Sequence, residues 1–140
     1  VGYFKGKNSK GTDINEVKEY ASKSKVDAMA ISVGNTHLQT IKIAKINYLK
    51  ILQIQNITNL PLVLHGSSGI SHIMRNKIAR NTKVAKFNIG TELRMVACKS
   101  LRKSYNNNIK NFDKISIIKP SIKELKKATI KVIKNIGPSK

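Results

Sequence analysis

The sequence predicts an α/β fold with a parallel sheet, and three observations carry this prediction. Short apolar runs recur along the chain, and they are near-continuous rather than alternating, which is typical of strands buried on both faces. Segments with helical periodicity separate these runs, so strand and helix alternate at steps of roughly 25 to 30 residues. Each run also ends in glycine, as expected where a strand turns toward the next helix.

The first half of the chain contains two predicted helices around one predicted strand. Residues 13–24 open with Asp13 and Glu16 in a cap-like arrangement and carry one apolar face, which predicts a helix. The apolar run VDAMAISVG over residues 26–34 predicts a buried strand. A second helix is expected over residues 47–58, although its isoleucines also suit a strand.

The second half of the chain repeats the alternation. The run LPLVLHG predicts a strand, and Ser71 is a suitable N-cap for the helix that follows. The run VAKFNIG over residues 84–90 predicts a third strand, and a helix is expected to begin at Thr91. A polar connection is then expected from Tyr105 to Lys119.

A terminal amphipathic helix is predicted after this connection. Ser121 and Glu124 form a capping-box pattern at its start, and Gly137 followed by Pro138 predicts its end. No internal domain boundary interrupts the 140 residues, so one domain is expected.

The charge balance is strongly positive, with 27 Lys and Arg residues against 7 Asp and Glu residues and a formal net charge of +20. Such an excess on its own favours an anionic partner such as nucleic acid or a membrane surface. All but four of the basic residues are lysines, whereas phosphate and base recognition favours the forked guanidinium of arginine. We therefore do not expect nucleic-acid binding, and we keep it as an alternative.

Cys98 is the only cysteine, so no intramolecular disulfide can form, and a cytoplasmic location is expected. Its side chain is expected to be buried on a helix. No apolar stretch reaches the ~18 residues that a membrane-spanning helix needs, so no membrane partner is expected.

Two histidines fall just beyond the predicted ends of neighbouring strands. His37 follows the first strand, and His65 ends the second about one strand–helix unit later. Because neighbouring strands lie ~4.8 Å apart, the two imidazoles could share one metal ion such as zinc. Histidines are more often structural, hydrogen-bonded residues, so both interpretations stay open, and His72 is expected to be exposed.

The turn Gly66-Ser67-Ser68-Gly69 is a second polar feature at the same edge. Glycines let backbone N–H groups approach an anion, serine hydroxyls donate further hydrogen bonds, and the following helix adds the positive end of its dipole. The segment could therefore hold a phosphate, or it could be an ordinary tight turn. Ligands of α/β sheets and barrels bind at this carboxyl edge.

Four segments resemble the class II, zinc-dependent fructose-bisphosphate aldolases, which include the tagatose-bisphosphate aldolases. VDAMAISVGNTH is similar to a family strand that ends in Gly-Thr-x-His, and INYLKILQIQNITNLPLVLHGSSGI is similar to the next helix and strand. KFNIGTELR resembles the phosphate-binding Asn-x-x-Thr segment, and NFDKISIIKPSIKELKKA resembles the closing stretch and final helix. The resemblance covers only the family's second half.

This resemblance implies the C-terminal half of a TIM (β/α)₈ barrel, about strands six to eight with the terminal helices, so that residues 1–140 form a single partial domain. His37 and His65 would be two of the three histidines that bind Zn²⁺. The positions that hold dihydroxyacetone phosphate would be Gly66, Ser67, Ser68, Asn88, Ile89, Gly90 and Thr91.

The implied activity is the reversible cleavage of fructose 1,6-bisphosphate or a related ketose bisphosphate to dihydroxyacetone phosphate and an aldehyde phosphate. Zinc would polarise the ketose carbonyl and stabilise the enediolate. The family's third zinc histidine and its proton-donor aspartate are expected upstream, so this chain alone should be inactive. Family members are often dimers or tetramers, so a homo-oligomer is one option, but the sequence does not decide the oligomeric state.

Three departures from the family pattern leave alternatives to an active aldolase open. The opening VGYFKGK resembles a mobile family loop but has Lys5 and Gly6 at its acidic positions. Leu38 replaces the glycine that follows His37, and an expected lysine is displaced to Lys42. Three interpretations stay open: part of a longer aldolase, a decayed, non-catalytic remnant, and a half-barrel completed by another chain. A metal-free phosphate-sugar barrel enzyme is a separate alternative, and the residues do not decide between fructose and tagatose bisphosphate.

Overall fold

Three short parallel strands form one sheet and lie side by side in the order in which they occur along the chain, as the alternating pattern predicts. The computed structural model describes residues 11–137, so the opening segment VGYFKGK lies outside the described residues. The strands are β1 (Met29–Ile31), β2 (Leu62–Leu64) and β3 (Val84–Phe87).

Each strand is shorter than the apolar run that predicts it. After Ile31 the chain leaves the ladder, because the N–H groups of Ser32 and Val33 donate to the side chains of Thr12 (2.8 Å) and Asn35 (2.7 Å) instead of to a neighbouring strand. β2 is the central strand, and within the described residues β1 and β3 pair only with β2. Both outer strands therefore keep one open edge in this part of the chain.

Five α-helices alternate with and follow the strands in the described residues. Side chains cap four of them, because Asp13, Asn47, Ser71 and Asp113 each accept a hydrogen bond from a first-turn N–H group. The predicted starts of the first three helices are thereby confirmed. The helices are α1 (Ile14–Lys23), α2 (Tyr48–Ile57), α3 (His72–Asn81), α4 (Thr91–Asn107) and α5 (Lys114–Ile136).

The core lies between the sheet and the helices. Ile51 and Ile54 stand one helical turn apart on α2 and are fully buried, so the burial of this face outweighs the strand preference of isoleucine. The core comprises Val17, Met29, Ile31, Val33, Ile51, Ile54, Leu62, Leu64, Ile70, Ile78 and Val84.

None of the helices in residues 11–137 has the length and hydrophobicity that a bilayer-crossing segment requires.

The predicted start of the last helix is wrong, because the polar connection is shorter than the sequence indicates. Asp113 accepts hydrogen bonds from the N–H groups of Ile115 (3.1 Å) and Ser116 (3.2 Å), so the cap lies well before Ser121. Ser121 sits inside α5, where its hydroxyl donates to the carbonyl of Ile118 (2.7 Å) rather than capping a helix. The predicted end at Gly137 is confirmed.

The predicted burial of Cys98 is also wrong. Cys98 lies on α4, as expected, but it is exposed. The reason is that α4 buries none of its own side chains among the described residues. Helical spacing of apolar residues predicted the element correctly but not the depth of its packing.

We predict that Leu64→Ala lowers the free energy of unfolding by about 2–5 kcal/mol, because Leu64 is fully buried in β2 and its truncation leaves a cavity. Leu49→Ala on α2 is the matched control, since Leu49 is 71% exposed, and it should change stability by only about 0.5 kcal/mol. Urea unfolding followed by circular dichroism measures both. Equal losses would contradict the placement of β2 in the core.

Candidate functional site

The polar residues that follow the three strands line one cavity of about 490 Å³ at the carboxyl edge of the sheet. His65 comes directly after β2, Asn88 comes directly after β3, and His37 lies in the loop after β1. Parallel strands bring these residues together, because their carboxyl ends meet at the same edge. The lining residues are His37, Leu38, His65, Gly66, Ser68, Phe87, Asn88, Ile89, Gly90, Thr91 and Arg94.

The two histidine rings lie side by side, with centroids 5.8 Å apart and planes tilted by 44°. Two imidazoles bound to one tetrahedral zinc ion through nitrogens at ~2.1 Å would place their ring centres roughly 5 Å apart. The pair therefore fits a shared metal ion with a small adjustment. Within residues 11–137, however, no three or more His, Cys, Asp or Glu side chains converge so that they could hold a metal ion by themselves.

The environment of His65 favours its neutral form. Burial lowers the pKa of His65, and the nearby charges of His37 and Lys86 lower it further. One ring nitrogen, Nδ1, lies 2.9 Å from the amide nitrogen of Asn88, which fixes the orientation of the ring. Neutral imidazole is the form that binds metal, so this histidine is prepared for a cation rather than for an anion.

The loop after β1 lies directly on the turn after β2. The amide of Asn35 donates to the carbonyl of His65 (2.9 Å), and the N–H of Ala44 donates to the carbonyl of Gly69 (3.1 Å). Gly66 has a φ of +61°, and a Cβ there would lie 2.5 Å from the carbonyl oxygen of Thr36. Only glycine fits this position, so the close approach that brings His37 to His65 depends on it.

Several backbone N–H groups around the cavity have no hydrogen-bond partner among the described residues. Two of them belong to the turn after β2, and the others lie at the start of α4, where Gly90 provides no side-chain cap. Unpaired N–H groups and the positive end of a helix dipole together attract an anion. These groups belong to Gly66, Ser68, Ile89, Gly90 and Thr91.

Ser67 is the one predicted phosphate-binding residue that does not line the cavity. It is fully buried, its hydroxyl donates to the carbonyl of Leu64 (2.9 Å), and its N–H donates to the carbonyl of Asn88 (3.1 Å). Both donors are thus used within the protein. Ser67 is placed to support the turn rather than to contact a ligand.

Arg94 lines the cavity, although it is not among the site residues predicted from the sequence. Its guanidinium folds back over the start of its own helix, and Nη2 donates to the hydroxyl of Thr91 (3.4 Å). A Cβ on Gly90 would lie 3.5 Å from Nη2 of Arg94. The spacing of three residues between Thr91 and Arg94 on a predicted helix is the signal that indicates this contact.

A group of charged side chains lies beside the cavity around Glu92. Arg75 Nη1 and Lys42 Nζ both contact Oε2 of Glu92, at 2.8 Å and 2.6 Å. Burial raises the pKa of Glu92, but the hydrogen bonds from Arg75 and Lys42, with their positive charges, outweigh it and hold the pKa below its ordinary value. The sequence carries no signal for this group, since its members are far apart along the chain.

We predict that Glu92→Gln weakens the dependence of stability on acid. Folding lowers the pKa of Glu92 from its ordinary value of 4.5, so the carboxylate stabilises the fold above that value and loses this contribution as the pH falls through the folded-state pKa. E92Q should be less stable than the parent by about 1–3 kcal/mol at neutral pH, and it should lose less stability on acidification. Unfolding measured between about pH 6 and about pH 3.5 tests this.

Glu19→Gln is the control, because Glu19 forms an exposed pair with Lys23 and such surface pairs contribute little to stability. If E92Q and E19Q lose stability with falling pH to the same extent as the parent, the stabilising role of Glu92 is contradicted.

Two curated proteins are similar to this chain over most of its length. The chain is 27% identical over 129 residues to a 6-phospho-5-dehydro-2-deoxy-D-gluconate aldolase from Bacillus licheniformis. It is 30% identical over 128 residues to a fructose-bisphosphate aldolase from Staphylococcus aureus. These matches cover 91% of this chain but 43% and 44% of the relatives, so the chain spans less than half the length of the curated relatives it matches.

Solved structures confirm the predicted fold class. The YdjI aldolase from Escherichia coli K12 matches 91% of this chain and 44% of its own with a TM-score of 0.72 and 26% identity. Fructose-bisphosphate aldolase from Campylobacter jejuni matches 90% of this chain and 44% of its own with a TM-score of 0.61, and its 17% identity shows the fold alone. The α/β chain thus corresponds to part of a TIM barrel. Residues 2–140 match the family Fructose-bisphosphate aldolase class-II, and the chain therefore belongs to this family.

Proposed function

We propose that this chain forms the phosphate-binding part and two thirds of the metal-binding part of a zinc-dependent ketose-bisphosphate aldolase. The observation that carries the proposal is the convergence of an imidazole pair and unpaired backbone N–H groups on one cavity. A substrate whose carbonyl binds the metal ion and whose phosphate binds the N–H groups requires the imidazole pair and the N–H groups to be adjacent. Residues 1–140 would form a single partial domain of the barrel.

His37 and His65 are the residues that would hold the metal. Their ring spacing of 5.8 Å suits a shared ion, and the lowered pKa of His65 favours the metal-binding form of its ring. Zinc bound there would supply Lewis-acid polarisation of the ketose carbonyl. With its side-chain amide turned so that Oδ1 accepts from Nδ1–H of His65, Asn88 would support this role, because Nε2 of His65 then stays free for the metal.

The part of the cavity at the start of α4 would hold the phosphate of dihydroxyacetone phosphate. The N–H groups of Ile89, Gly90 and Thr91 lie at the positive end of a 17-residue helix. Arg94 adds a positive charge that folds over the same groups. Since a cation at the positive end of a helix dipole is unfavourable, a bound anion would relieve both.

The chain does not bring every group that aldol cleavage needs. Among the described residues no carboxylate lines the cavity, so a proton donor of that type would come from another part of the barrel. The family resemblance implies that the donor and the third zinc histidine would lie upstream of this segment. We therefore expect substrate and zinc binding, but no cleavage, from residues 1–140 alone.

We predict that His37→Ala and His65→Ala each lower the affinity for Zn²⁺ by at least about tenfold, because each removes one of two ligands. His72→Ala is the matched control, since His72 lies on α3 outside the cavity, and it should bind zinc as the parent does. Calorimetric titration with zinc alone measures all four proteins. Zinc binding that falls equally in H72A would contradict the assignment.

We predict that the protein binds dihydroxyacetone phosphate and that Arg94→Met lowers this affinity by about tenfold, because a hydrogen bond to a charged group is lost. Lys99→Met, on the same helix but outside this cavity, is the control for loss of one positive charge. Titration at constant ionic strength measures both variants. An equal loss in K99M would mean that overall charge, not the site, binds the phosphate.

The same titrations separate the alternatives. Binding of dihydroxyacetone phosphate that is indifferent to a chelator and to zinc would favour a metal-free phosphate-sugar enzyme. Salt-sensitive binding of an RNA probe without zinc uptake would favour the nucleic-acid alternative, which the net charge of +20 suggests. Retained zinc and phosphate binding in a full-length protein that cleaves no ketose bisphosphate would favour a remnant.

A further inference from the structure

Arg75 on α3 carries a fully buried positive charge close to the cavity. Its guanidinium has a side-chain exposure of 0%, and its three nitrogens contact three different partners. Nη1 contacts Glu92 (2.8 Å), Nε donates to Oδ1 of Asn135 (2.9 Å), and Nη2 lies 3.0 Å from Nδ1 of His72. A buried charge is costly, and these contacts together offset that cost, with Glu92 as the partner that neutralises the charge.

Glu92 connects Arg75 to the turn after β2 through two kinds of contact. Its carboxylate binds Lys42, and the same Lys42 ammonium donates to the carbonyl of Ser68 (2.7 Å). Its backbone N–H donates to the hydroxyl oxygen of Ser68 (3.1 Å). Glu92 therefore contacts Ser68 directly through its main chain and indirectly, through Lys42, by its side chain.

These contacts decide how the Ser68 hydroxyl can act. Ser68 is 5% exposed and lines the cavity. Because its oxygen already accepts a hydrogen bond from Glu92, the hydroxyl proton remains for donation elsewhere. A serine held in this way is a hydrogen-bond donor at a fixed position, which an anion in the cavity would use.

The far end of the connection is the last turn of α5. Asn135 accepts from Arg75, donates through Nδ2 to the carbonyl of His72 (3.0 Å), and accepts from the amide of Asn76 at its own carbonyl (2.8 Å). These bonds fix α5 against the start of α3. Through Asn135, α5 thus fixes the guanidinium of Arg75, and this guanidinium in turn contacts Glu92.

We propose that Arg75 and Glu92 are a positioning pair that aligns the Ser68 hydroxyl as a phosphate donor and couples this alignment to the docking of α5. Neither residue needs to touch the substrate. The inference rests on the proposed function, because it assigns the pair to the phosphate site of that function. The substrate group it concerns is the phosphate, not the metal-bound carbonyl.

The test is a double-mutant cycle on affinity for dihydroxyacetone phosphate. Arg75→Met and Ser68→Ala should each lower the affinity by about tenfold, and the double variant should be weaker than S68A by no more than about twofold, since Arg75 acts through Ser68. Arg80→Met, on the exposed side of α3, is the matched control and should bind as the parent does. Zinc affinity should stay within about twofold of the parent in all variants.

A second variant covers the case in which R75M does not fold. Arg75→Lys keeps the charge but loses the fork that contacts Glu92 and Asn135 together, so it should lower phosphate affinity less than R75M does. In each folded variant, faster hydrogen exchange of the Glu92 N–H should accompany the loss of affinity, since that group is bonded to Ser68.

The outcomes separate the two proposals. If the parent protein binds no dihydroxyacetone phosphate, the proposed function fails and the pair has no ligand to position. If the parent binds it but R75M and R75K bind equally well, or if the losses in R75M and S68A simply add, the positioning pair is overturned while the proposed function stands. Parallel losses of zinc and phosphate affinity would show that Arg75 supports the fold only.

Discussion

The central position of β2 is the constraint on which the rest of the structure depends. Its parallel pairing with both neighbours places His65 and the turn after it between the loop after β1 and the segment after β3. The N–H of Asn88 donates to the carbonyl of Leu64 (2.8 Å), and the N–H of Ser67 donates back to the carbonyl of Asn88 (3.1 Å). These two bonds extend the pairing of β2 and β3 past the end of the strands. They join the histidine side of the cavity to its anion-binding side.

The sequence predicts features that depend on neighbouring residues. Ser71 and Asn47 cap helices because a short polar side chain needs only its own following turn as a partner. His65 and the glycines after it are predictable because they end an apolar run, which is again a local pattern. Their meeting with His37 follows from the alternation of strand and helix alone.

Features that depend on contacts between residues far apart in sequence are not predicted by local patterns. Ser121 shows a capping-box pattern, yet the competing cap Asp113 begins the helix earlier, and Ser121 bonds within the helix instead. Arg75 has one local partner, His72, three residues before it, but the partners that neutralise and anchor its guanidinium, Glu92 and Asn135, are 17 and 60 residues away. A buried arginine on a helix of basic composition is indistinguishable in sequence from a solvated one, and only the tertiary fold supplies its carboxylate.

Leu38 shows how one departure from the family pattern is accommodated. The family resemblance predicts glycine after His37, and the backbone keeps the conformation that suits glycine, with a φ of +59° at Leu38. A branched residue in this region costs on the order of 1–2 kcal/mol, and the side chain recovers little of it, since it is 73% exposed. The bonds that Asn35 and Ala44 make to the turn after β2 hold the loop on both sides of this residue. The loop is thus fixed from its two ends, so the position of His37 does not require glycine beside it.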